Sequence, residues 1–521
     1  MVLPKRHWRR IYCKAFVPKK FKNNRDKNMK PNHLSAVALL AFLAAGCANV
    51  PSVGPDYHAP ETKTPAHWSE PLTGGETNSA AATTAWWKNF RDPELNSLIS
   101  RAAQSNLDLK IAQARVREAR AQYRITAADF WPTVDASGSY ARQRESQNQP
   151  LIGPGDHLPP GVPFENSFYQ SGFDASWEID VFGGKRRVTE AATAQVAATQ
   201  FGEREVLVTL LGEVARNYVE ARSYQRRLEI ARDNIRAQEQ SLAIVQNRFT
   251  NGLTSDLDVQ QASTVLATTR AIVPALETAL AASMRRLGIL LGQTPESLET
   301  ELSAVAPIPA APPVVPVGLP SELLLRRPDV ALAERQLAAA TANIGVAKAN
   351  LFPKFYLTGV AGFQGVSADD WFTSGSRFWS VGPSVQWRIF DAGRIRANIK
   401  VQNARQEQAL ASYEQTALSA FEDVEDAMTA YAKEQIRRQS LEDAVKSSEE
   451  SLRLANQLYA NGLSNFINVL DAERSLYQAQ DELVQSDRTI SANLIALYKS
   501  LGGGWETLDG QPQLASATTA K

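Results

Sequence analysis

The sequence predicts an internally duplicated membrane protein of mixed α and β class, in which each copy carries one β-hairpin and one pair of long helices. A seven-residue apolar repeat runs to a turn at Asn251-Gly252-Leu253 and then heads back. About 210 residues later the same pattern returns, with its turn at Asn461-Gly462-Leu463. A stretch that alternates polar and apolar residues precedes each helix pair. Together these patterns predict two helical hairpins and four β-strands in one chain.

The seven-residue repeat defines the residues expected to pack inside each helical hairpin. Seven residues in two turns is 3.5 residues per turn, which is typical of helices that supercoil around apolar neighbours. The first copy has Leu207, Val214, Ala221, Leu228, Ile235, Leu242 and Phe249, then Val259, Leu266, Val273, Leu280 and Leu287. The second has Ala417, Val424, Tyr431, Val445, Leu452 and Tyr459, then Val469, Leu476, Leu483, Ile490 and Leu497, with Arg438 as its one polar exception.

The first long helix is expected to cover about 65 residues, and a rise of 1.5 Å per residue makes it roughly 100 Å long. Its return partner carries Pro274, which should kink the helix or mark a break. The many Asp and Glu residues on these helices are interpreted as ordinary solvated faces.

Alternation with a period of two predicts the strands. It covers Thr133 to Tyr140 and Tyr169 to Val181 in the first copy, and the stretches that begin at Phe355 and Trp379 in the second. Strands of about ten residues, with one apolar face and aromatic residues near the ends, match transmembrane β-strands. A half-buried hairpin of a water-soluble protein shows the same alternation, so the pattern alone leaves both interpretations open.

The two copies align along most of the chain. Leu351-Phe352-Pro353 matches Phe130-Trp131-Pro132, 221 residues earlier, and the offset falls to about 209 across the hairpins, which places the extra residues in the first hairpin's loop. The expected boundaries are a signal peptide with an upstream extension (1–46), a lipid-anchored tether (47–91), the first repeat (92–300), a Pro-rich linker (301–320), the second repeat (321–502) and a C-terminal tail (503–521).

The formal net charge of +1 hides an acidic mature chain. Residues 1–46 hold 11 of the 56 Lys and Arg but only Asp26 among the acidic residues, which leaves a net charge of −9 for the rest. A nucleic-acid partner is therefore not expected.

Lys30 precedes an apolar run that ends at Cys47, which suits a bacterial lipoprotein signal better than a membrane span. We expect cleavage before Cys47, with either Met1 or Met29 as the start, although an ordinary signal with an incidental Cys is the alternative.

Four strands cannot close a barrel, and lipid does not tolerate an open sheet edge. Closure therefore requires several chains to pool their strands. Two chains would give eight strands and an interior filled by side chains, whereas three would give twelve, which can leave a pore. Cyclic symmetry would also wrap the long helices into a tube that continues the barrel.

Beyond residue 46 the chain resembles the TolC-like outer-membrane efflux proteins, in the lipoprotein branch (OprM/NodT-like) that serves resistance–nodulation–division (RND) pumps. The motifs that carry the resemblance are Cys47, Val53-Gly-Pro-Asp-Tyr57, Trp86-Trp87, Gly318-Leu-Pro-Ser-Glu-Leu-Leu-Leu-Arg-Arg-Pro-Asp-Val330, Asn350-Leu-Phe-Pro353 and Leu501-Gly-Gly-Gly-Trp505. The resemblance implies a homotrimer with a twelve-stranded transmembrane barrel and a periplasmic α-helical barrel. It also implies an exit duct for small molecules, which works with a periplasmic adaptor protein and an inner-membrane RND pump. No cofactor is expected apart from the N-acyl and S-diacylglycerol lipid on Cys47.

The resemblance also assigns roles at the far ends of the helical hairpins. The turns would dock the adaptor through Asn251, Gly252, Leu253, Asn461, Gly462 and Leu463. Because Asn and Gly tolerate left-handed backbone, the same turns also suit a plain helix end. The family closes its periplasmic end with acidic residues after these turns, here Asp258, Asn468 and Asp471. Asn468 departs from the acid found in many relatives, and a solvated helix surface is the alternative for both acids.

An enzyme is the competing class. The five His residues, His7, His33, His58, His67 and His157, all precede the first long helix, so no imidazole is available there for acid–base work or metal binding. The motifs HExxH and GxSxG and spaced Cys pairs do not occur. We therefore expect no catalytic site and no metal site.

The outer-membrane channel of a type I protein-secretion system is the alternative function. A trimeric autotransporter is a further rival, but its strands occur only once, at the C-terminus.

Overall fold

The computed structural model describes residues 52–61, 64–65, 67–69, 76–77, 84–144, 165–312, 315–318 and 320–506. Two units of the same design follow one another along the chain. The first contains β1 (Glu76–Thr77), a 3-10 helix (Trp86–Phe90), α1 (Pro93–Ser105), α2 (Leu107–Ala128), β2 (Thr133–Arg144), β3 (Glu165–Ile179), α3 (Gly184–Thr250) and α4 (Asp256–Leu290). The second contains β4 (Val315–Pro316), α5 (Pro320–Arg326), α6 (Pro328–Ala349), β5 (Lys354–Gly365), a 3-10 helix (Ser374–Ser376), β6 (Arg377–Gln386), α7 (Arg394–Ala460) and α8 (Phe466–Ser500).

The duplication extends to the lengths of the helices. Both α3 and α7 have 67 residues, and both α4 and α8 have 35. Each long helix packs against its shorter partner, while α2 and α6 pack against α3 and α6 also contacts α7. Side chains at equivalent places join the ends of each repeat: the Asn106 Nδ2 donates to the carbonyl of Leu290 (2.9 Å), and the Arg327 Nη1 donates to that of Ser500 (3.1 Å).

Most of the apolar repeat is buried as predicted. The buried members are Leu207, Val214, Ala221, Leu228, Val259, Leu266, Leu287, Ala417, Val424, Tyr431, Tyr459, Val469, Ile490 and Leu497. Phe249 is an exception: it lies two residues before Asn251, at the end of the helix, and is 43% exposed. The expectation of a break at Pro274 is wrong, since α4 runs through this residue as one helix. A proline withholds only one backbone hydrogen bond from the helix, and packing against α3 holds the rest in place.

A large core lies where the ends of the two repeats meet the N-terminal segment. Trp86 is 1% exposed and stacks on Tyr498, with ring centroids 5.4 Å apart. Trp87 and Phe90 meet Trp86 edge-on, and Tyr218 and Leu211 belong to the same cluster. The motif Trp86-Trp87 therefore anchors the N-terminal segment to the bases of both helical hairpins.

Replacing Trp86 with alanine should destabilise the protein by about 3–5 kcal/mol, because a fully buried indole is replaced by a cavity. Thermal unfolding of the detergent-solubilised protein, followed by circular dichroism, measures the effect. Lys88→Ala, at an exposed position of the same 3-10 helix, is the control and should leave the midpoint nearly unchanged. Equal midpoints for the two variants would contradict this account of the core.

The four predicted strands form one antiparallel sheet in the order β2-β3-β5-β6. Its register aligns the faces of all four strands, so that Ala136, Phe173, Ala361 and Trp379 lie in one apolar row. Among the described residues of these four strands, none is buried: Phe173 is 62% exposed and Trp379 is 76% exposed. A water-soluble hairpin would bury its apolar face against its own chain, and this sheet does not. The transmembrane interpretation is therefore the one that the structure supports.

Two tryptophans attach the sheet to the helices. The Trp177 Nε1 donates to the carbonyl of Phe130 (2.8 Å), and the Trp387 Nε1 donates to that of Leu351 (3.0 Å). Both acceptors lie just beyond the C-terminal ends of α2 and α6, where helix carbonyls lack partners inside the helix. The same contact thus fixes the angle between helix and strand in each repeat.

Candidate functional site

The two helical turns lie at the ends of the helical hairpins opposite the sheet and have the same backbone geometry. Gly252 and Gly462 adopt φ of 73° and 71°, the left-handed conformation that a residue with a Cβ rarely adopts. The next amide turns back into the helix: Leu253 N donates to the carbonyl of Arg248 (2.8 Å), and Leu463 N donates to that of Leu458 (2.9 Å). This pattern is a Schellman cap, which satisfies the last helical carbonyls. Glycine is thus the residue that adopts the local backbone conformation at both tips with the least strain.

Both tips present apolar side chains to solvent. Leu253 is 67% exposed and Leu463 is 75% exposed, at equivalent positions of the two repeats. The exposed set continues in equivalent pairs along the neighbouring turns: Ile244 and Leu454, Leu257 and Ile467. Exposed apolar residues that cluster on one end of a molecule mark an interaction surface. The six residues predicted to dock a partner therefore lie within an apolar rim at that end.

A small core joins the two tips beneath this rim. Val245 and Val259 of the first hairpin pack in one cluster with Phe466 and Val469 of the second. Tyr459 contacts Phe466, with ring centroids 5.1 Å apart, and the Arg248 guanidinium lies 4.7 Å from the centre of the Tyr459 ring. The two turns are therefore held side by side in one chain.

The three gate candidates have local roles in this structure. Asp258 is half-buried in the first turn of α4 and accepts a hydrogen bond from the Thr254 hydroxyl. At the equivalent place, the Asn468 Nδ2 donates to Ser464 Oγ (2.8 Å). An acid in the first turn of a helix is also favoured by the helix dipole.

Asp471 is the gate candidate with the most exposed charge. Its carboxylate lies 3.2 Å from Arg474 one turn along the same helix, and both side chains are more than half exposed. Surface pairs of this kind contribute little to stability. The structure gives Asp471 no partner on another helix among the described residues.

Part of the predicted tether packs against the helices. Residues 53–56 lie against the start of α3, held by Arg187, which is 3% exposed. Its guanidinium donates to the carbonyl of Val53 (3.2 Å) and to the Asp56 carboxylate (2.6 Å). The Tyr57 hydroxyl donates to Glu334 (2.8 Å) on α6. The sequence analysis did not predict these contacts, because the partners lie more than 130 residues away. Cys47 lies outside the described residues.

Between the large core and the small core beneath the rim, the interface of the two helical hairpins contains a row of polar contacts. Three residues of α3, seven apart, each bond to α8: Arg227 to Asp481 (2.6 Å), Asn234 to Gln480 (3.2 Å) and Ser241 to Glu473 (2.5 Å). We call this row the inter-hairpin seam. It corrects the interpretation of the helix acids as solvated faces, because Asp481 and Glu473 lie inside an interface. In the sequence, these three polar residues stand directly before the apolar repeat residues 228, 235 and 242. Their own seven-residue spacing was the pattern that could have indicated the seam.

Comparison with known proteins places this arrangement in a family. The sequence model of the family described as "Outer membrane efflux protein" matches residues 98–293 and again 319–503, once in each repeat. The chain belongs to this outer membrane efflux protein family.

Individual relatives agree with the family match over nearly the whole efflux protein. It is 35% identical to the solvent efflux pump outer membrane protein SrpC of Pseudomonas putida, over 92% of this chain and 99% of SrpC. It is 34% identical to the probable outer membrane lipoprotein SilC of Salmonella typhimurium, over 89% of this chain and 97% of SilC. Among solved structures, the outer-membrane channel OprN is 37% identical and superimposes with a TM-score of 0.80, covering 87% of this chain and 99% of OprN.

These similarities establish the efflux protein as an outer-membrane channel for efflux, with the mixed fold of long helices and membrane sheet described above. Within the described ranges, no group of three or more His, Cys, Asp or Glu side chains is arranged to hold a metal ion.

Proposed function

We propose that three copies of this chain form the exit duct of a tripartite efflux system and pass small molecules to the exterior. The single observation that carries the proposal is the four-stranded sheet, whose outer strands β2 and β6 both lack a neighbour within the described chain. Because β2 and β6 run antiparallel to each other, β6 of one copy can pair with β2 of the next and continue the same alternation. Three copies then give a closed barrel of twelve strands with room for a pore.

The helices support the same assembly. In the most apolar window of α4, only 22% of the residues are buried within one chain, although this window is hydrophobic enough for a membrane span. A second copy packed alongside would cover that surface, because neighbouring hairpins around an axis meet through their outer helices. Native mass spectrometry of the protein extracted in mild detergent should show three copies. A mass of two or four copies would contradict the proposal.

The apolar rim is proposed as the docking surface for a periplasmic adaptor protein, which joins the duct to an inner-membrane RND pump. Leu253 and Leu463 each project from a rigid Schellman turn, so one chain presents two similar exposed leucine side chains to a partner. Small apolar surfaces at the end of a rigid element suit a helical hairpin as partner. The cargo is proposed to be toxic small molecules such as organic solvents or drugs, as the name of the relative SrpC suggests.

Cys47 is proposed to carry the N-acyl and S-diacylglycerol lipid. Val53 is the sixth residue after Cys47, and Arg187 holds it at the start of α3 beside the sheet. Even a fully extended chain therefore keeps Cys47 within about 20 Å of that point. The lipid would thus enter the same bilayer as the sheet. Mass spectrometry of the mature N-terminal peptide should show the added lipid, and an unmodified Cys47 would contradict the assignment.

Asp258, Asn468 and Asp471 are proposed to border the periplasmic opening, with three copies of Asp471 near the axis. Asp471→Ala should lower the preference of the channel for cations over anions by at least about twofold, because a ring of carboxylates attracts cations. Reversal potentials in planar bilayers under a salt gradient measure this preference. Asp443→Ala, which removes an equally exposed carboxylate from the middle of α7, is the matched control. Equal selectivity in both variants would place Asp471 away from the permeation path.

A further inference from the structure

Glu473 is the most deeply buried acid of the inter-hairpin seam. The residue is 4% exposed, and one carboxyl oxygen, Oε1, accepts the hydrogen bond from Ser241. The other, Oε2, has no hydrogen-bond partner among the described residues. A buried carboxylate with an empty acceptor is unfavourable, whereas a protonated carboxyl can use that oxygen as a donor.

An acceptor lies one helical turn from Ser241 on the same helix. Gln238 is 4% exposed, and its carbonyl oxygen Oε1 also has no partner in the described part of the chain. The described residues therefore provide no donor for Glu473 Oε2, and they leave a further buried acceptor without a donor on the facing helix. A proton on Glu473 turns its unpartnered oxygen into a donor, so the buried carboxyl is better suited to the protonated form than to the carboxylate.

The charged groups of the surrounding helices do not compensate a carboxylate at this position. Those on α3, α4, α7 and α8 near this level are paired with one another or exposed. The pairs are Arg236 with Asp233, Arg270 with Glu239, Lys446 with Glu442 and Asp443, Arg453 with Glu450, Arg474 with Asp471, and Arg227 with Asp481, and Glu449 is exposed. Arg248, two turns nearer the tip on α3, lies over the Tyr459 ring. The titratable hydroxyl of Tyr477 lies one turn further along α8. Glu473 is therefore enclosed by neutral groups.

We propose that Glu473 is a proton-controlled latch between the two helical hairpins. With its proton, the carboxyl keeps the inter-hairpin seam closed. When the O–H bond breaks and the proton passes to water, the buried charge favours parting of the seam, which lets the tips move apart. The inference rests on the proposed duct, because it assigns the seam to the opening of that duct.

The direction of the pH dependence follows from the surroundings of the carboxyl. Burial raises the pKa of Glu473 above its ordinary value of 4.5, and the Ser241 hydroxyl offsets part of this because it donates to the carboxylate. The closed seam therefore binds the proton more tightly than the parted seam. The free-energy preference for the closed seam is therefore complete below the ordinary pKa of the carboxyl, and it is lost as the pH rises to the raised pKa. Each pH unit between the two pKa values changes the closed-to-open ratio about tenfold.

Single-channel recording of the full-length protein in planar bilayers, from about pH 4 to pH 8, tests the latch. We expect the open probability of the wild type to rise with pH. Glu473→Gln, which keeps the shape and carries a permanent donor, should remain in the closed state with no rise. Glu449→Gln, at an exposed position on α7, is the matched control and should follow the wild type. Ser241→Ala should move the rise to higher pH, because the carboxylate loses its donor.

The outcomes separate the latch from the duct. A wild-type channel that conducts equally at all pH values, or a Glu473→Gln variant with the wild-type profile, overturns the latch and leaves the duct in place. Should Glu473→Gln fail to assemble, the shift with Ser241→Ala decides alone, and an unshifted profile overturns the latch. A protein that forms no channel at any pH contradicts the duct itself.

Discussion

Replacing Gly252 and Gly462 together with tryptophan is expected to abolish efflux while the assembled channel remains in the outer membrane. A Cβ built at either glycine meets no described atom within 4 Å, so the indole projects from the tip into the space proposed for the adaptor. The left-handed backbone adds about 1 kcal/mol of strain at each position, which the large core far from the tips tolerates. Minimal inhibitory concentrations of solvents and drugs should fall to those of a deletion strain.

The double alanine variant, Gly252→Ala with Gly462→Ala, is the matched control. It imposes the same backbone strain without the bulk, so it should retain most of the resistance. Immunoblots of unheated outer-membrane fractions report the assembled channel for each variant. Full resistance with the tryptophan variant would remove the tips from the docking surface, and a lost assembly would show that the effect is structural.

Arg327→Met is expected to destabilise the protein by about 3–5 kcal/mol, because it leaves two acids without their partner in a partly buried site. The Arg327 side chain is 12% exposed and lies 2.7 Å from Asp329 and 2.9 Å from Asp423. It also donates to the carbonyl of Ser500 and so ties α6 to the end of α8. Methionine retains most of the packing volume, which isolates the loss of the charge and its hydrogen bonds.

Thermal and guanidinium unfolding of the solubilised protein measure this loss. Arg453→Met removes a guanidinium from an ion pair in which both side chains are more than half exposed, and it should cost less than about 1 kcal/mol. Similar costs for the two substitutions would show that the Arg327 cluster holds nothing together. A greater loss in Arg327→Met would explain why this arginine belongs to the most specific stretch of the family motif.

The sequence was sufficient to predict the elements that repeat. Gly252 and Gly462 terminate helices through a backbone conformation that few residues allow, so their positions could be read directly. The sheet followed from strict alternation, and the relation between the halves followed from matched motifs such as Phe130-Trp131-Pro132. These features depend on neighbours in the chain, which a linear pattern records.

Contacts between distant residues could not be predicted in the same way. Arg187 holds backbone carbonyls and an acid near residue 55, and no periodicity links the two stretches. Trp177 carries an indole that any lipid-facing strand could carry, and its hydrogen bond to Phe130 depends on the angle between helix and strand. Glu473 resembled a solvated heptad acid, because its burial requires contact with α3 of the other hairpin, which a pattern along one helix does not record.

The sheet that one copy cannot cover also determines an order of events during biogenesis. The helical hairpins consist of contacts close in sequence, which form quickly. The apolar faces packed between the two helices of one hairpin need no second copy of the chain. The strands cannot reach a stable state alone, because an unpaired edge and an apolar face such as that of Trp379 promote aggregation in water. In the proposed assembly the strands therefore form after the helices, and the sheet is complete only when other copies pair with β2 and β6 in the membrane.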